Sequence, residues 1–305
     1  MSPTLALHDD TFRRYIIITA ALLALAGLVL LLLRFGAKKD VRRVWLTYRS
    51  WLVMVPIIAL TILLGREAVI VGAGLLAIFC FKEYARATGL YADWWITGVA
   101  YLLILACTAA TLIGAWQLFN AMPIIALAAI FLVPVARNRT AGQLQAMALA
   151  VLGFVLVGWA LAHLGWLARS RHPYGAVLFV IFATEICDVA AYLGGKLFGG
   201  RRMRDEISPK KTWYGSLTAL TVAMALPWLL AFSLPGFNAT EKLIAGLIIG
   251  FAGQVGDLAI SLIKRDLGVK DMGAALPGHG GLLDRCDSLL FVTPAFVHLL
   301  RLVDG

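Results

Sequence analysis

The stretch YIIITAALLALAGLVLLLL, residues 15–33, runs for nineteen positions without a charge. Wound as an α-helix at about 1.5 Å per residue, it is nearly the ~30 Å thickness of bilayer hydrocarbon. Working outward from it, apolar runs of the same kind recur over residues 51–64, 68–81, 94–115, 121–136, 146–168, 173–193, 212–234, 243–263 and 288–300. None alternates with period two, so the runs argue for helices and against a closed barrel. Composition agrees. The chain is 61% hydrophobic and 14% charged, where a soluble domain carries about 25% charged residues. The expected fold class is therefore all-α, a polytopic transmembrane helical protein of about ten spans. Three regions are expected: an extra N-terminal helix with a basic linker (1–45), a set of transmembrane helices (46–170), and a C-terminal catalytic region with cytoplasmic loops (171–305).

The basic residues orient it. With the N-terminus outside, the connections that fall inside carry 20 of the 27 Lys and Arg residues and those outside carry 7. Lys and Arg are retained on the cytoplasmic side, so the net charge of +10 reads mainly as a topology signal. Because these residues are dispersed between spans, a nucleic-acid surface is not expected. Arg13 and Arg14 precede an apolar run containing Ala24-Leu25-Ala26, which could mimic a processing site. The run continues into a basic stop-transfer-like segment, so an uncleaved helix is expected. Cys80, Cys107, Cys187 and Cys286 stand far apart and suggest neither disulfides nor a zinc site.

A charge in the middle of a membrane helix costs roughly 2.5–3.5 kcal/mol on insertion scales and calls for a reason. Asp188 sits late in the seventh run, with Glu185 and Tyr192 on the same helical face; Asp257 sits in the ninth, with Ser261 and Lys264 following at i+4 and i+7. The loop after the ninth run is the most informative. It contains Lys264, Arg265, Lys270, Asp271, Pro277, Gly278, His279, Gly280 and Gly281, then Asp284, Arg285 and Asp287. Pro and closely spaced Gly free backbone N–H groups to approach an anion. Asp284 and Asp287, at i and i+3, can point at one cation, and hard oxygen ligands beside phosphate-binding cations suit Mg²⁺. A second basic loop offers Ser208, Lys210, Lys211 and Thr212 at a helix start. No G-x-x-x-x-G-K-[ST] run occurs, which excludes a P-loop.

These residues resemble the phosphatidate cytidylyltransferase (CDP-diacylglycerol synthase) family. Its signature S-x-x-K-R-x4-K-D-x-G-x2-L-P-x-H-G-G-x-x-D-R-x-D maps continuously onto Ser261 through Asp287; Cys286 departs from the usual aliphatic residue or Thr. The S-P-x-K-T-x-x-G loop matches at Ser208, Pro209, Lys211, Thr212 and Gly215, and a D-x3-Y helix at Asp188 and Tyr192. A weaker F-x-E-Y element spans Phe81 to Tyr84, extending the likeness to about residue 45 onward. The resemblance implies transfer of CMP from CTP to phosphatidate, giving CDP-diacylglycerol and pyrophosphate in phospholipid biosynthesis.

On that reading Asp257, Asp284 and Asp287 hold Mg²⁺, with Asp188 as support or as ligand to a second, monovalent cation. Lys264, Arg265, Lys270 and Arg285 neutralise phosphate oxygens, and Ser208, Lys211, Thr212, Ser261, Gly280 and Gly281 complete the substrate site. Asp271 orients Lys270 or Arg285, while His279 stands between a loop-fastening hydrogen bond and a phosphate contact. The expected partners are CTP, phosphatidate or a related lipid phosphate, and membrane lipids; a homodimer is allowed. The expected location is the bacterial inner membrane. Two alternatives stay open: a cytidylyltransferase acting on another lipid phosphate, and a transporter using the intramembrane carboxylates.

The basic asymmetry makes a direct prediction. Single cysteines at 202 and 270, in a cysteine-free background, should react with an impermeant thiol reagent only from the cytoplasmic side. Labelling of either position from the periplasmic side of intact cells would sink the arrangement.

Overall fold

The computed structural model describes residue 1 and residues 3–36, 41–275 and 280–304. Part of the basic linker, residues 37–40, and Pro277, Gly278 and His279 of the sequence reading lie outside the described residues. A short helix α1 (Pro3–His8) leads into α2 (Asp10–Leu31), α3 (Arg42–Leu64), α4 (Arg66–Ala87), α5 (Trp94–Ile113) and α6 (Trp116–Ala136). The next crossing is made of α7 (Gln143–Gly153) and α8 (Ala160–Leu167), joined by a π-helical turn at Phe154–Trp159. Then come α9 (Pro173–Phe198), a hairpin of β1 (Arg202–Arg204) and β2 (Ser208–Thr212), and α10 (Trp213–Leu229). A second composite crossing joins α11 (Ala239–Leu247) to α12 (Gly253–Asp266) through a π turn at Ile248–Ala252; α13 (Leu283–Cys286) and α14 (Leu289–Asp304) complete the fold.

Eight helical segments among the described residues are long and apolar enough to cross a bilayer, and the protein is a polytopic helical membrane protein. The remaining two expected spans are α10 and α14, at 17 and 16 residues. At ~1.5 Å per residue they fall short of ~30 Å. Elsewhere the helices outrun the apolar stretches. The second begins at Arg42 rather than near 51, and the third runs to Ala87 and takes in Lys82, Glu83 and Arg86. Long charged side chains at helix ends extend their heads toward water while the backbone stays helical, so hydropathy sees only the middle of each helix. The hairpin is a small departure from an all-helical chain. Lys210 and Lys211 lie on β2, ahead of the helix they were expected to open. Thr212 is the cap of α10, its Oγ1 accepting from the Gly215 amide at 3.1 Å.

The core is aromatic and aliphatic, with Phe81, Tyr84, Phe119, Phe154, Phe179 and Phe296 fully buried. Within it α9 packs along α10, α4 along α8, and α12 against α14. Gly256 brings α12 closest to its neighbour, because a Cβ there would collide with the Asp287 carbonyl oxygen. The side chains of Ser216 and Gln254 bond to each other, and Gln254 Nε2 also donates to the Ser216 carbonyl at 3.2 Å, tying α10 to α12. Alternation of up and down helices then brings the C-terminal ends of α4, α9 and α12 to the same end of the bundle as the start of α10 and α13.

Gly256 carries a test of this packing. Gly256→Val must push α12 off the 287–288 backbone, and overpacking of this kind costs about 1–3 kcal/mol. A thermal melt in detergent should register the loss; an unchanged midpoint would mean that the helices do not approach so closely.

Candidate active site

Four segments supply the charged groups gathered at that end. From α9, Asp188 accepts from the Ser288 hydroxyl, with Oγ at 3.3 and 3.1 Å from its two carboxylate oxygens. From α12, Asp257 forms an ion pair with Lys211 of β2, Oδ2 to Nζ 2.5 Å, and accepts from the Ser261 hydroxyl on Oδ1 at 3.1 Å. About two turns beyond Asp257, Lys264 reaches Asp284 at 2.8 Å. Both are buried, Lys264 at 8% and Asp284 at 5% exposure. The second Asp284 oxygen accepts from the backbone amides of Met272 and Gly281, at 2.8 and 2.9 Å. So Asp284 draws together the helix before the loop, the middle of the loop and the short helix after it.

Asp287 is buried too, and accepts from the Ser288 amide at 2.8 Å. Burial first, then the Asp257 and Asp188 carboxylates, push its carboxyl well above the usual carboxylate range, and Lys264 opposes the shift. Asp188, Asp257 and Asp287 thus act on one another electrostatically, with Ser288 hydrogen-bonded to two of them. Among the described residues no three His, Cys, Asp or Glu side chains converge closely enough to enclose a metal ion as they stand. The donor set nevertheless fits a hard divalent cation in kind: carboxylate oxygens carrying excess negative charge, one of them desolvated.

The remaining residues of the sequence reading divide into two groups. Arg265 donates to the Ile207 carbonyl from Nε and to the Val269 carbonyl from Nη1, both at 3.3 Å, so it fastens the hairpin to the loop. Thr212 caps α10 and Ser261 supports Asp257. Lys270, Asp271 and Arg285 are exposed, and Ser208 and Lys211 half-buried. Gly280 has φ +82°, and a Cβ there would meet Asp284 and the Asp271 side chain. Such a turn suits a residue without a side chain. His279 lies outside the described residues.

Two residues that sequence reasoning did not select belong to this region. Ser288 links Asp188 to the segment that carries Asp287. Glu83 accepts from the Leu282 and Leu283 amides at 3.0 and 2.9 Å. Its only sequence signal was the weak F-x-E-Y element.

The profile of the cytidylyltransferase family matches residues 45–303. The chain is 33% identical to "Uncharacterized protein YnbB" of Escherichia coli (strain K12), over 92% of this chain and 95% of that protein. It is 32% identical to the phosphatidate cytidylyltransferase of Staphylococcus aureus (strain COL), over 80% of this chain and 94% of the relative. Similarity to the phosphatidate cytidylyltransferase of Synechocystis (strain PCC 6803) reaches 40% identity, over 45% of this chain and 48% of that one.

The buried ion pair yields a stability prediction. Lys264→Met leaves Asp284 charged and without its cation, and breaking a buried pair in this way costs about 3–5 kcal/mol. Adding Asp284→Asn should recover part of that loss, because the buried charge is gone. A double variant less stable than Lys264→Met alone would contradict the pairing.

Proposed function

The chain belongs to the cytidylyltransferase family, and from that premise we propose that it transfers CMP from CTP to phosphatidate. The products are CDP-diacylglycerol and pyrophosphate. A lipid phosphate oxygen attacks the α-phosphorus of CTP; a P–O bond forms there as the bond to the β-phosphate breaks, and pyrophosphate leaves. The attacking phosphate is already ionised, so the site needs no strong base. It has to bring two anions together and stabilise charge on the transferring group and on the leaving pyrophosphate. The observation that carries the reading is the gathering of the Asp188, Asp257 and Asp287 carboxylates beside Lys211 and Lys264 at one end of a membrane bundle.

Asp257 and Asp287 would hold Mg²⁺, with Asp188 as a further ligand. Bound there, the ion would supply charge neutralisation and orientation of the triphosphate. Asp284, whose oxygens are occupied by Lys264 and two amides, sets the position of Lys264 and of the loop. Lys211 holds its ammonium at the edge of the carboxylates, where a phosphate oxygen can share it. Arg285 and Lys270, both exposed, meet the outer phosphates. We place the site at the cytoplasmic face of the bacterial inner membrane, where a bilayer-held phosphate meets a water-soluble nucleotide. A transporter would need a polar path across the helices, and the charges instead collect at one end.

Purified in detergent with CTP, phosphatidate and Mg²⁺, the protein should release pyrophosphate and form a CMP-bearing lipid, with ATP a poor substitute. Asp257→Asn and Asp287→Asn should abolish most of that activity while the protein still inserts. Lys211→Ala removes a charge-assisted contact and should lower kcat/KM by about ten- to a hundred-fold. Arg34→Ala, outside the family match, should leave it unchanged. Product from another lipid phosphate but none from phosphatidate would move the substrate and keep the reaction class; no cytidylyl transfer to any lipid phosphate would end the catalytic reading.

A further inference from the structure

Glu83 lies on α4, about 200 positions before the loop it touches, and its two oxygens accept from two successive amides, Leu282 and Leu283. Both flank the start of α13, the short helix that carries Asp284 and Arg285 and leads directly into Asp287. The carboxylate occupies a slot with no room to spare. A Cβ built at Gly273 would overlap Oε1 and one at Gly281 would overlap Oε2, and the Gly281 Cβ would also meet the Gly273 amide nitrogen. Adjoining it, Asp284 accepts from the amides of Met272 and Gly281. Four amides of the loop and the start of α13, at 272, 281, 282 and 283, are therefore claimed by two carboxylates, one on α13 and one on α4.

We propose that Glu83 is a positioning residue of the active-site loop: it anchors the start of α13 to α4 and so sets where Asp284, Arg285 and Asp287 stand against α12. It rests on the reading of the site given above. Its chemistry requires an acceptor on both oxygens. Glutamine in its place keeps the shape but turns an N–H₂ toward one of two backbone donors, so one amide loses its acceptor. A group held by charge-assisted bonds to two amides is stiffer than one held by packing, and misplacement of catalytic groups by about 1 Å can cost about a hundred-fold in rate.

The test uses the full-length protein in detergent and has two readouts. In Glu83→Gln, hydrogen exchange at the Leu282 and Leu283 amides should accelerate while peptides from α5 and α9 keep their protection; unchanged exchange at 282–283 overturns the proposal. In turnover, Glu83→Gln should lower kcat about 10- to 100-fold, the range for groups that orient reactive residues, with a smaller change in KM for CTP. Gly273→Ala, which drives the same carboxylate from its slot, should show the same pattern. The double variant should be no slower than the slower single one, since both remove one anchor. Multiplying losses, or a kcat for Glu83→Gln within about two-fold of wild type, would refute the positioning role. If the wild-type protein transfers CMP to no lipid phosphate yet exchange at 282–283 accelerates as expected, the anchor stands and the reaction assignment falls.

Discussion

A carboxylate taken out of water has to be given partners, and at Asp284 that requirement shapes the whole cytoplasm-facing loop we infer. Its charge is met by Lys264 on one oxygen and by the Met272 and Gly281 amides on the other. To satisfy all three at once, the chain leaving α12 must double back across the end of that helix before α13 can begin. Gly280 follows from this, since its φ of +82° and its close approach to Asp284 disfavour a side chain there, while Gly273 and Gly281 are kept bare by the Glu83 carboxylate. So does the order of charges along α12, where about two turns separate Asp257, which faces Lys211, from Lys264, which faces the loop. A weaker satisfier at Asp284 would leave the same residues in the sequence but not in one place.

Much of the fold was legible because the bilayer is a simple solvent: an apolar run without alternation has few alternatives. The ends of the helices were not. At Arg42 and around Glu83 the backbone continues as helix through charged residues, which a hydropathy reading takes for linker. The hairpin at 202–212 was also hidden, since its short strands, RMR and SPKKT, are basic and polar and carry no apolar face. Within the site, residues 261–287 were legible because their spacing is local: i+3, i+4 and i+7 on a helix place side chains together without knowledge of the fold. Contacts across long separations were not legible. Ser288 meets Asp188 a hundred positions away, and nothing local marks either for the other. Arg265, Thr212 and Ser261 were expected to contact substrate; what the structure adds is their hydrogen bonds within the protein, to Ile207 and Val269, to Gly215 and to Asp257.

The electrostatics of the bundle are lopsided. At the end opposite the carboxylates, side chains such as Arg301 over the Trp116 ring, 4.1 Å to the centroid, meet aromatic faces. Toward the other end, carboxylates and ammonium groups pair directly, Lys264 with Asp284 in a buried contact and Lys211 with Asp257 in a half-buried one. In such surroundings each added phosphate charge interacts strongly with what is already there, so binding of one anionic reactant should depend steeply on the neutralisation supplied by the rest of the site. The tie between α10 and α12 through Ser216 and Gln254 holds the uncharged α10 against the helix that carries Asp257 and Lys264.

The π turn at Ile248–Ala252 interrupts the crossing that ends in Asp257, Ser261 and Lys264. A π turn holds an extra residue relative to α-helical winding, and one residue corresponds to about 100° around a helix axis. The two halves of this crossing are therefore out of phase. Read at α-helical spacing, the apolar stripe of α11 does not continue in register along α12, as if a single rod carried two separate stripes. Membrane insertion, which responds to total apolarity, is blind to that phase slip; only packing against α10 and α14 can set it. Removing a single residue from the turn would leave a hydrophobic segment that crosses the bilayer just as well, so the match of the two stripes to their neighbours is set by packing and not by insertion.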